Sequence, residues 1–171
     1  HQDIDIIAMS ERRFYSTIPG WKKIAEADFD SRSSIYARPN LEIRALDTAP
    51  LDPHEANRIQ TQLVVIEEKF LLIHTYIPPD VPTSDRRDFF EAISPIITEI
   101  DLPFLMVGDL NTKCVTLGIH HVEHHAYFEE FLDKHDLTVI SQGIPTRGEA
   151  SLDVASVSYT HLRAHETKAN L

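Results

Sequence analysis

The chain has 171 residues, 42% hydrophobic and 25% charged, a balance typical of one globular domain with a substantial core. A single cysteine excludes an intramolecular disulfide, and no apolar run approaches the roughly 20 residues of a membrane-spanning helix. The formal net charge of -11 disfavours a nonspecific binder of the phosphate backbone, because such proteins usually present a basic surface.

The first half of the chain predicts short strands and hairpins. DIDIIAM predicts a buried strand that ends at Ser10 and Glu11. Two alternating runs, SSIYAR and LEIRAL, flank Pro39-Asn40 and predict a hairpin. Two longer runs, TQLVVI and FLLIHTY, flank Glu67-Glu68-Lys69 and predict a second hairpin, which must stop at Pro78-Pro79 because proline cannot donate to a sheet ladder.

The second half predicts helices that alternate with strands. TSDRRDFFEAISPIITEI has apolar residues at helical spacing, with Thr83 or Ser84 as a cap and Pro95 expected to kink or split the helix. LPFLMVGD predicts a strand, VEHHAYFEEFLDKHD an amphipathic helix, and LTVIS and SLDVASVS two short strands. This order predicts a mixed α/β domain with sheets inside and helices outside.

Polar residues follow three of the predicted strands directly. Glu11 follows DIIAMS, Tyr76 ends LLIHTY, and Asp109 and Asn111 follow FLMVG. Strand ends carry loops on a rigid scaffold, where functional sites concentrate. The carboxylates of Glu11 and Asp109 are the hard oxygen ligands that Mg²⁺ takes. The alternative is that Asp109 and Asn111 only cap a turn, since both residue types favour turns.

Four motifs in this order resemble a known family: DIIAMSE, LLIHTYIPP, FLMVGDLNTK and IPTRGEASLDV. They are similar to the endonuclease/exonuclease/phosphatase superfamily, and most similar to the apurinic-type endonuclease domain of Jockey-type non-LTR retrotransposons. The resemblance implies an α/β (α+β) fold, a deoxyribonuclease I-like two-sheet β-sandwich flanked by helices, which we expect to be truncated at both ends.

The resemblance also implies roles for individual residues. Glu11 matches the family's metal-binding glutamate, and Asp109 matches the aspartate that orients the attacking water. Asn111 matches a residue that contacts the phosphate, and Tyr76 matches a tyrosine near the scissile phosphate. Asp153 matches an aspartate that orients the catalytic histidine.

The implied activity is Mg²⁺-dependent nicking of DNA, with Mn²⁺ as a possible substitute, to prime reverse transcription. Thr146 and Arg147 lie in a loop that faces DNA in this interpretation, or in a plain surface turn. DNA and a downstream reverse transcriptase domain are the expected partners, and no membrane is expected. The expected location is intracellular, and nuclear when the protein acts on target DNA.

The sequence departs from the family in two places. The family opens with an asparagine-bearing strand upstream of DIIAMSE and closes with Ser-Asp-His, and neither occurs here. VSYTHLRAHET, residues 157–167, resembles a translated library adaptor for sequencing. We therefore divide the chain into a partial domain at 1–156 and a non-native tail at 157–171, and expect this chain to be inactive, with His161 and His165 carrying no role.

Other polar clusters have simpler interpretations. HHVEHH at 120–125 has the H-x-x-E-H spacing of a zinc peptidase. The pattern is short, however, so we expect these residues to form the solvated start of a helix. We expect Cys114 to be a packed or half-exposed thiol. We expect the basic residues after Glu11 and in DRR, including Arg86 and Arg87, to lie on the solvated surface or to contact DNA.

Two rival functions stay open. One is another phosphodiesterase of the superfamily, acting on RNA or a phospholipid, which the acidic charge favours. The other is an inactive binding or scaffold module, which the missing Ser-Asp-His would fit.

Overall fold

A computed structural model describes residues 4–10, 17–26, 33–47, 59–112, 126–141 and 153–158. Within these ranges the chain forms nine strands and two helices, in the mixed order that the sequence predicts. The strands are β1 (Ile6–Met9), β2 (Lys22–Glu26), β3 (Ser34–Ala37), β4 (Ile43–Ala45), β5 (Gln60–Ile66), β6 (Phe70–Tyr76), β7 (Phe104–Asp109), β8 (Leu137–Val139) and β9 (Asp153–Ser158). The helices are α1 (Thr83–Ile100) and α2 (Ala126–Lys134).

The strands form two sheets. The smaller sheet has the order β1-β3-β2, and the larger has the order β4-β5-β6-β7-β9-β8. The pairing of β6 with β7 is parallel, and α1 is the crossover between them, as a parallel pair requires. This arrangement confirms the two-sheet α+β fold that the resemblance implies.

The hairpin of β5 and β6 is confirmed. Its strands pair from Gln60↔Tyr76 to Ile66↔Phe70. Glu67 and Glu68 both have a φ of 51°, and the Lys69 amide donates to the Ile66 carbonyl at 3.0 Å, which closes the turn. The short polar turn between the two apolar runs therefore fixes the register of this hairpin.

The predicted hairpin around Pro39-Asn40 is wrong. β3 pairs with β1 and β2 in the smaller sheet, whereas β4 pairs with β5 in the larger one. Pro39 and Asn40 do form a turn, but this turn carries the chain from one sheet to the other. A local turn signal does not specify which strand the next segment will pair with.

Helix α1 is one continuous helix, so Pro95 does not split it. Ile93 and Ile97, on either side of the proline, are 0% and 5% exposed, and their burial stabilises the helix across the lost backbone hydrogen bond. The predicted cap is also wrong. Pro82 occupies the N-cap position without a side-chain hydrogen bond, and the Ser84 hydroxyl donates instead to Asp85 Oδ1 at 2.8 Å.

The two faces of the larger sheet are covered by different elements. The helices cover one face, where Phe90 of α1 packs against Tyr127, Phe128 and Phe131 of α2 at centroid distances of 4.9–5.6 Å. The smaller sheet covers the opposite face, with Ile35, Val64 and Leu72 at the centre of that layer. In the described ranges, neither helix is long and apolar enough to cross a membrane.

Strand β9 crosses the proposed boundary between domain and tail. Val157 pairs with Leu105 of β7, and Ser158 pairs with Leu137 of β8. Strand pairing is made by the backbone, and many segments of suitable β-propensity can take part in it, so this pairing leaves the origin of the tail open. The division at residue 156 stays a prediction, and residues 159–171 lie outside the described ranges.

Candidate functional site

Three of the predicted site residues lie side by side at one end of the larger sheet. His74 of β6 pairs with Val107 of β7, and the Ile77 amide donates to the Asp109 carbonyl at 2.9 Å. This parallel register continues by two residues to place Tyr76 beside Asp109. On the other side of β7, Asp109 pairs directly with Asp153 of β9. The fold therefore brings segments separated by 33 to 77 positions into one row.

Asp109 belongs to the face of β7 that the smaller sheet covers. Leu105 and Val107 pack into the layer between the two sheets. Because side chains alternate along a strand, Asp109 lies on the same face, two residues further on. Asp109 is partly exposed, so its carboxylate stands where the apolar layer ends.

Gly108 allows β6 and β7 to approach closely beside Asp109. Its φ is +142°, and a Cβ atom built on it would lie 1.9 Å from the Thr75 carbonyl oxygen. No side chain fits at that distance, and the backbone conformation favours glycine alone. The glycine that interrupts FLMVGDLN is thus a steric requirement of the strand pair that positions Asp109.

Asn111 is held by local hydrogen bonds. Its φ of 44° is left-handed, its backbone amide donates to Asp109 Oδ1 at 3.0 Å, and its side-chain Nδ2 donates to the Ile77 carbonyl at 2.9 Å. These bonds form the turn that the alternative interpretation expects. They use one of the two side-chain N–H groups, and the amide oxygen is an acceptor as well, so a phosphate contact from the second N–H stays a prediction.

The other predicted site residues are placed less completely. Tyr76 is almost fully buried, with 3% of its surface exposed. The described structure gives the backbone of Asp153 and its pairing with Asp109. Glu11, Thr146 and Arg147 lie outside the described ranges.

Ser10, which precedes Glu11, lies close to the row. Its hydroxyl is 3.0 Å from Nε2 of His74, and His74 stands two residues before Tyr76 on the same face of β6. Two residues along a strand span roughly 7 Å. The end of β1 therefore lies near the end of the larger sheet that carries Asp109. This position is the one required if Glu11 and Asp109 are to lie close together.

His74 is a buried polar residue that the sequence interpretation missed. It is 2% exposed, and its Nδ1 lies 3.0 Å from Gln62 Oε1 and 3.1 Å from the Ser33 hydroxyl. Gln62 Nε2 donates to the Ser33 carbonyl at 3.2 Å, which fixes Oε1 as the acceptor. Nδ1 then carries the imidazole proton and Nε2 accepts from Ser10. One neutral histidine thus links both sheets.

Burial lowers the pKa of His74 from 6.5 to about 4. The folded state disfavours the charged imidazole, whereas the unfolded state binds the proton with a pKa of about 6.5. The contribution of neutral His74 to the free energy of unfolding is therefore full above pH 6.5 and is lost as the pH falls toward 4. A shift of this size predicts a loss of about 2 kcal/mol between pH 7 and pH 5. This loss can be measured by urea unfolding of the parent protein and of His74→Gln at pH 7 and pH 5. Equal losses in the two proteins would contradict the assignment.

Arg86 is not part of a solvated basic cluster, so that prediction is corrected. Arg86 is 2% exposed, whereas its neighbour Arg87 is exposed. The difference arises because the guanidinium of Arg86 meets backbone carbonyl oxygens of the loops that follow β6 and β7. HHVEHH and Cys114, by contrast, lie outside the described ranges.

The carboxylate and amide oxygens at the site fit a hard cation. Magnesium sites commonly use one or two carboxylates and complete their coordination with water and substrate phosphate. Within the part of the chain that the structure describes, no three His, Cys, Asp or Glu residues form a metal-binding group. Asp109 is the described candidate ligand, and Glu11 is the candidate from the neighbouring segment.

The fold is similar to the deoxyribonuclease I-like fold of solved endonuclease/exonuclease/phosphatase proteins. The likeness extends to the Bacteroides thetaiotaomicron mannosyl-6-phosphatase Bt3783 (TM-score 0.56, 16% identity, 82% of this chain and 64% of that one). It extends also to the human nocturnin catalytic domain with bound sulfate (TM-score 0.55, 13% identity, 90% of this chain and 69% of that one). No family model and no curated protein matches the chain.

A retrotransposon endonuclease is among these structures. The endonuclease domain of TRAS1, a telomere-specific non-LTR retrotransposon, superposes with a TM-score of 0.69. The match covers 93% of this chain and 75% of that domain, at 17% sequence identity. Identity at this level shows a common fold, so the activity of this chain must be argued from its own residues.

Proposed function

We propose that this protein is the endonuclease domain of a non-LTR retrotransposon and hydrolyses DNA phosphodiester bonds with a divalent cation, Mg²⁺ or Mn²⁺. The observation that supports this most directly is the row of Tyr76, Asp109 and Asp153 across three adjacent strands. Ser10, next to Glu11, lies against the same edge of the sheet. The likeness to the TRAS1 endonuclease domain supports DNA as the substrate.

The proposed roles follow from the chemistry of each side chain. Glu11 and Asp109 hold the cation, which when bound neutralises charge on the phosphate and lowers the pKa of a water. Asp109 also orients the attacking water, since a carboxylate has acceptor capacity beyond its bond to the Asn111 amide. Asn111 donates to a phosphate oxygen, and Tyr76 contacts the same phosphate through its hydroxyl edge.

Asp153 is proposed to orient a catalytic histidine, as the resemblance implies. Its position directly across the ladder from Asp109 supports this role, because a base held there would adjoin the carboxylate that positions water. Thr146 and Arg147 are proposed to contact DNA. The nicked strand would serve a reverse transcriptase domain of the same polyprotein, which acts in the nucleus.

Supercoiled plasmid DNA provides the test. We call the chain with its genomic reading frame restored on both sides, including Ser-Asp-His, the extended domain. The extended domain should convert supercoiled plasmid to the nicked circle with Mg²⁺ and should stop on addition of EDTA. The 171-residue chain should give little product, because Ser-Asp-His does not occur in it.

Results with the extended domain and with the 171-residue chain test different parts of the proposal. If the extended domain is folded but does not nick DNA with Mg²⁺ or Mn²⁺, the proposed nuclease activity is excluded. Robust Mg²⁺-dependent nicking by the 171-residue chain shows instead that the terminal histidine is not required.

A second candidate is a phosphodiesterase or phosphatase for a smaller or non-DNA substrate. The net charge of -11 favours it, because an acidic surface repels a long polyanion more than a small phosphate ester. The same extended domain assayed on a short RNA, a phosphoinositide and a sugar phosphate separates the two. Turnover of any of these that exceeds plasmid nicking selects the second candidate.

A further inference from the structure

Arg86, in the first turn of α1, has its whole donor capacity engaged in backbone contacts. Nε donates to the Val81 carbonyl at 2.9 Å. Nη1 donates to the carbonyls of Leu110 and Asn111 at 2.8 and 3.0 Å. Nη2 donates to the carbonyls of Pro78 and Pro79 at 2.8 and 3.3 Å. A guanidinium has five N–H groups in a fixed plane, so these five bonds use all of them.

The five carbonyls come from two loops that do not adjoin in sequence. Residues 77–82, the β6 loop, follow the strand that ends at Tyr76. Residues 110–112, the β7 loop, follow the strand that ends at Asp109. Both loops leave the same end of the larger sheet, where the candidate site lies. Arg86 therefore contacts both loops from the face of the sheet that the helices cover.

The conformation of Asn111 depends on this contact. Its left-handed φ of 44° is unfavourable for a residue with a Cβ atom, although asparagine tolerates it better than most. Its amide and its side chain are fixed by Asp109 and Ile77, and Arg86 fixes its carbonyl. Hydrogen bonds to a charged group are stronger than those between neutral groups, so the contact with Arg86 helps to offset this strain.

We propose that Arg86 is a positioning residue that locks the β6 and β7 loops into one geometry. Its use in catalysis rests on the proposed function, since the locked loops hold Asp109 and Asn111 relative to Tyr76. A simple contribution to the stability of α1 would not require one guanidinium to join two loops. Lysine cannot replace it, because an ammonium is a single point with three donors and cannot span five carbonyls.

Native-state hydrogen exchange of the 171-residue chain tests the lock without any substitution. The Val81 amide donates within the β6 loop, to the Pro78 carbonyl. The Ile77 amide, from the β6 loop, and the Asn111 amide, from the β7 loop, both donate to Asp109 at the end of β7. If Arg86 joins the loops, these three amides open as one cooperative unit, with the same free energy and the same dependence on low denaturant. Independent opening of the two loops would overturn the proposal.

Arg86→Lys then tests the residue itself. Protection of the Ile77 and Asn111 amides should fall by about tenfold or more, while amides in the β5–β6 ladder keep theirs. Arg44→Lys is the matched control, because Arg44 also makes two guanidinium bonds, to Glu68 at 2.9 Å, but its side chain is 55% exposed. Unchanged protection in Arg86→Lys would overturn the proposal, whatever the protein is found to cleave.

The catalytic part of the proposal has its own measurement. In the extended domain, Arg86→Lys should lower kcat for plasmid nicking by roughly 10- to 100-fold and leave KM within about threefold, because misplacement of reacting groups affects the transition state. A variant with altered exchange and normal kcat overturns the catalytic use. An inactive parent with cooperative exchange overturns the proposed function and leaves the lock standing.

Discussion

Asp109→Asn should reduce the nicking rate of the extended domain by roughly 10²- to 10⁴-fold, the range for loss of a group that positions and activates a proton-bearing nucleophile. Asparagine keeps an oxygen that can accept the Asn111 amide, now 3.0 Å from Oδ1, so the turn should persist. The variant loses the negative charge that we propose holds the cation and orients the water. The effect should appear in kcat rather than in the free energy of unfolding.

Glu99→Gln is the matched control for Asp109→Asn. Glu99 is an exposed carboxylate near the end of α1, and its neutralisation should leave the rate within about twofold, since isolated surface charges contribute little. Initial rates over a range of Mg²⁺ concentrations measure both variants. An Asp109→Asn enzyme with the parent's kcat at saturating Mg²⁺ would contradict the role proposed for this carboxylate.

Gly108→Ala should destabilise the protein by about 3–5 kcal/mol, which combines overpacking with a strained backbone. The new Cβ would lie 1.9 Å from the Thr75 carbonyl oxygen, and backbone cannot yield as a flexible side chain can. Either β7 separates from β6 or Asp109 moves out of the row. Because small domains are stable by only about 5–15 kcal/mol, urea unfolding should show a large fall in the midpoint.

Gly20→Ala separates the two causes of that loss. Gly20 also has a positive φ, 81°, but a Cβ atom there would meet nothing within 4 Å. Its substitution should therefore cost only about 1 kcal/mol, from the backbone alone. Equal losses at Gly20 and Gly108 would show that the close approach to Thr75 has no energetic consequence.

The elements whose partners lie nearby in sequence could be predicted. The β5–β6 hairpin follows from two apolar runs joined by a three-residue polar turn, and α1 follows from its apolar spacing. The hairpin predicted at Pro39-Asn40 failed because β3 and β4 pair with strands from other parts of the chain. The composition of a turn is local information, whereas the choice of sheet depends on distant segments.

The same limit explains what was missed at the site. Asp109 and Asn111 can be proposed from the sequence because polar residues directly after an apolar strand are conspicuous. Arg86 was interpreted as surface, since DRRD is polar and nothing in it reveals carbonyls that arrive from up to 25 positions away. His74 carried a usable signal, because a histidine inside LLIHTY must be buried and therefore paired.

We propose that Glu11 and Asp109 hold one divalent cation between them. An anomalous difference map of a crystal of the extended domain soaked in Mn²⁺ tests this arrangement. We expect one peak, with a carboxylate oxygen of Glu11 and one of Asp109 each about 2 Å away. Carboxylates that face away from each other, or a manganese peak bound by other residues, would contradict it.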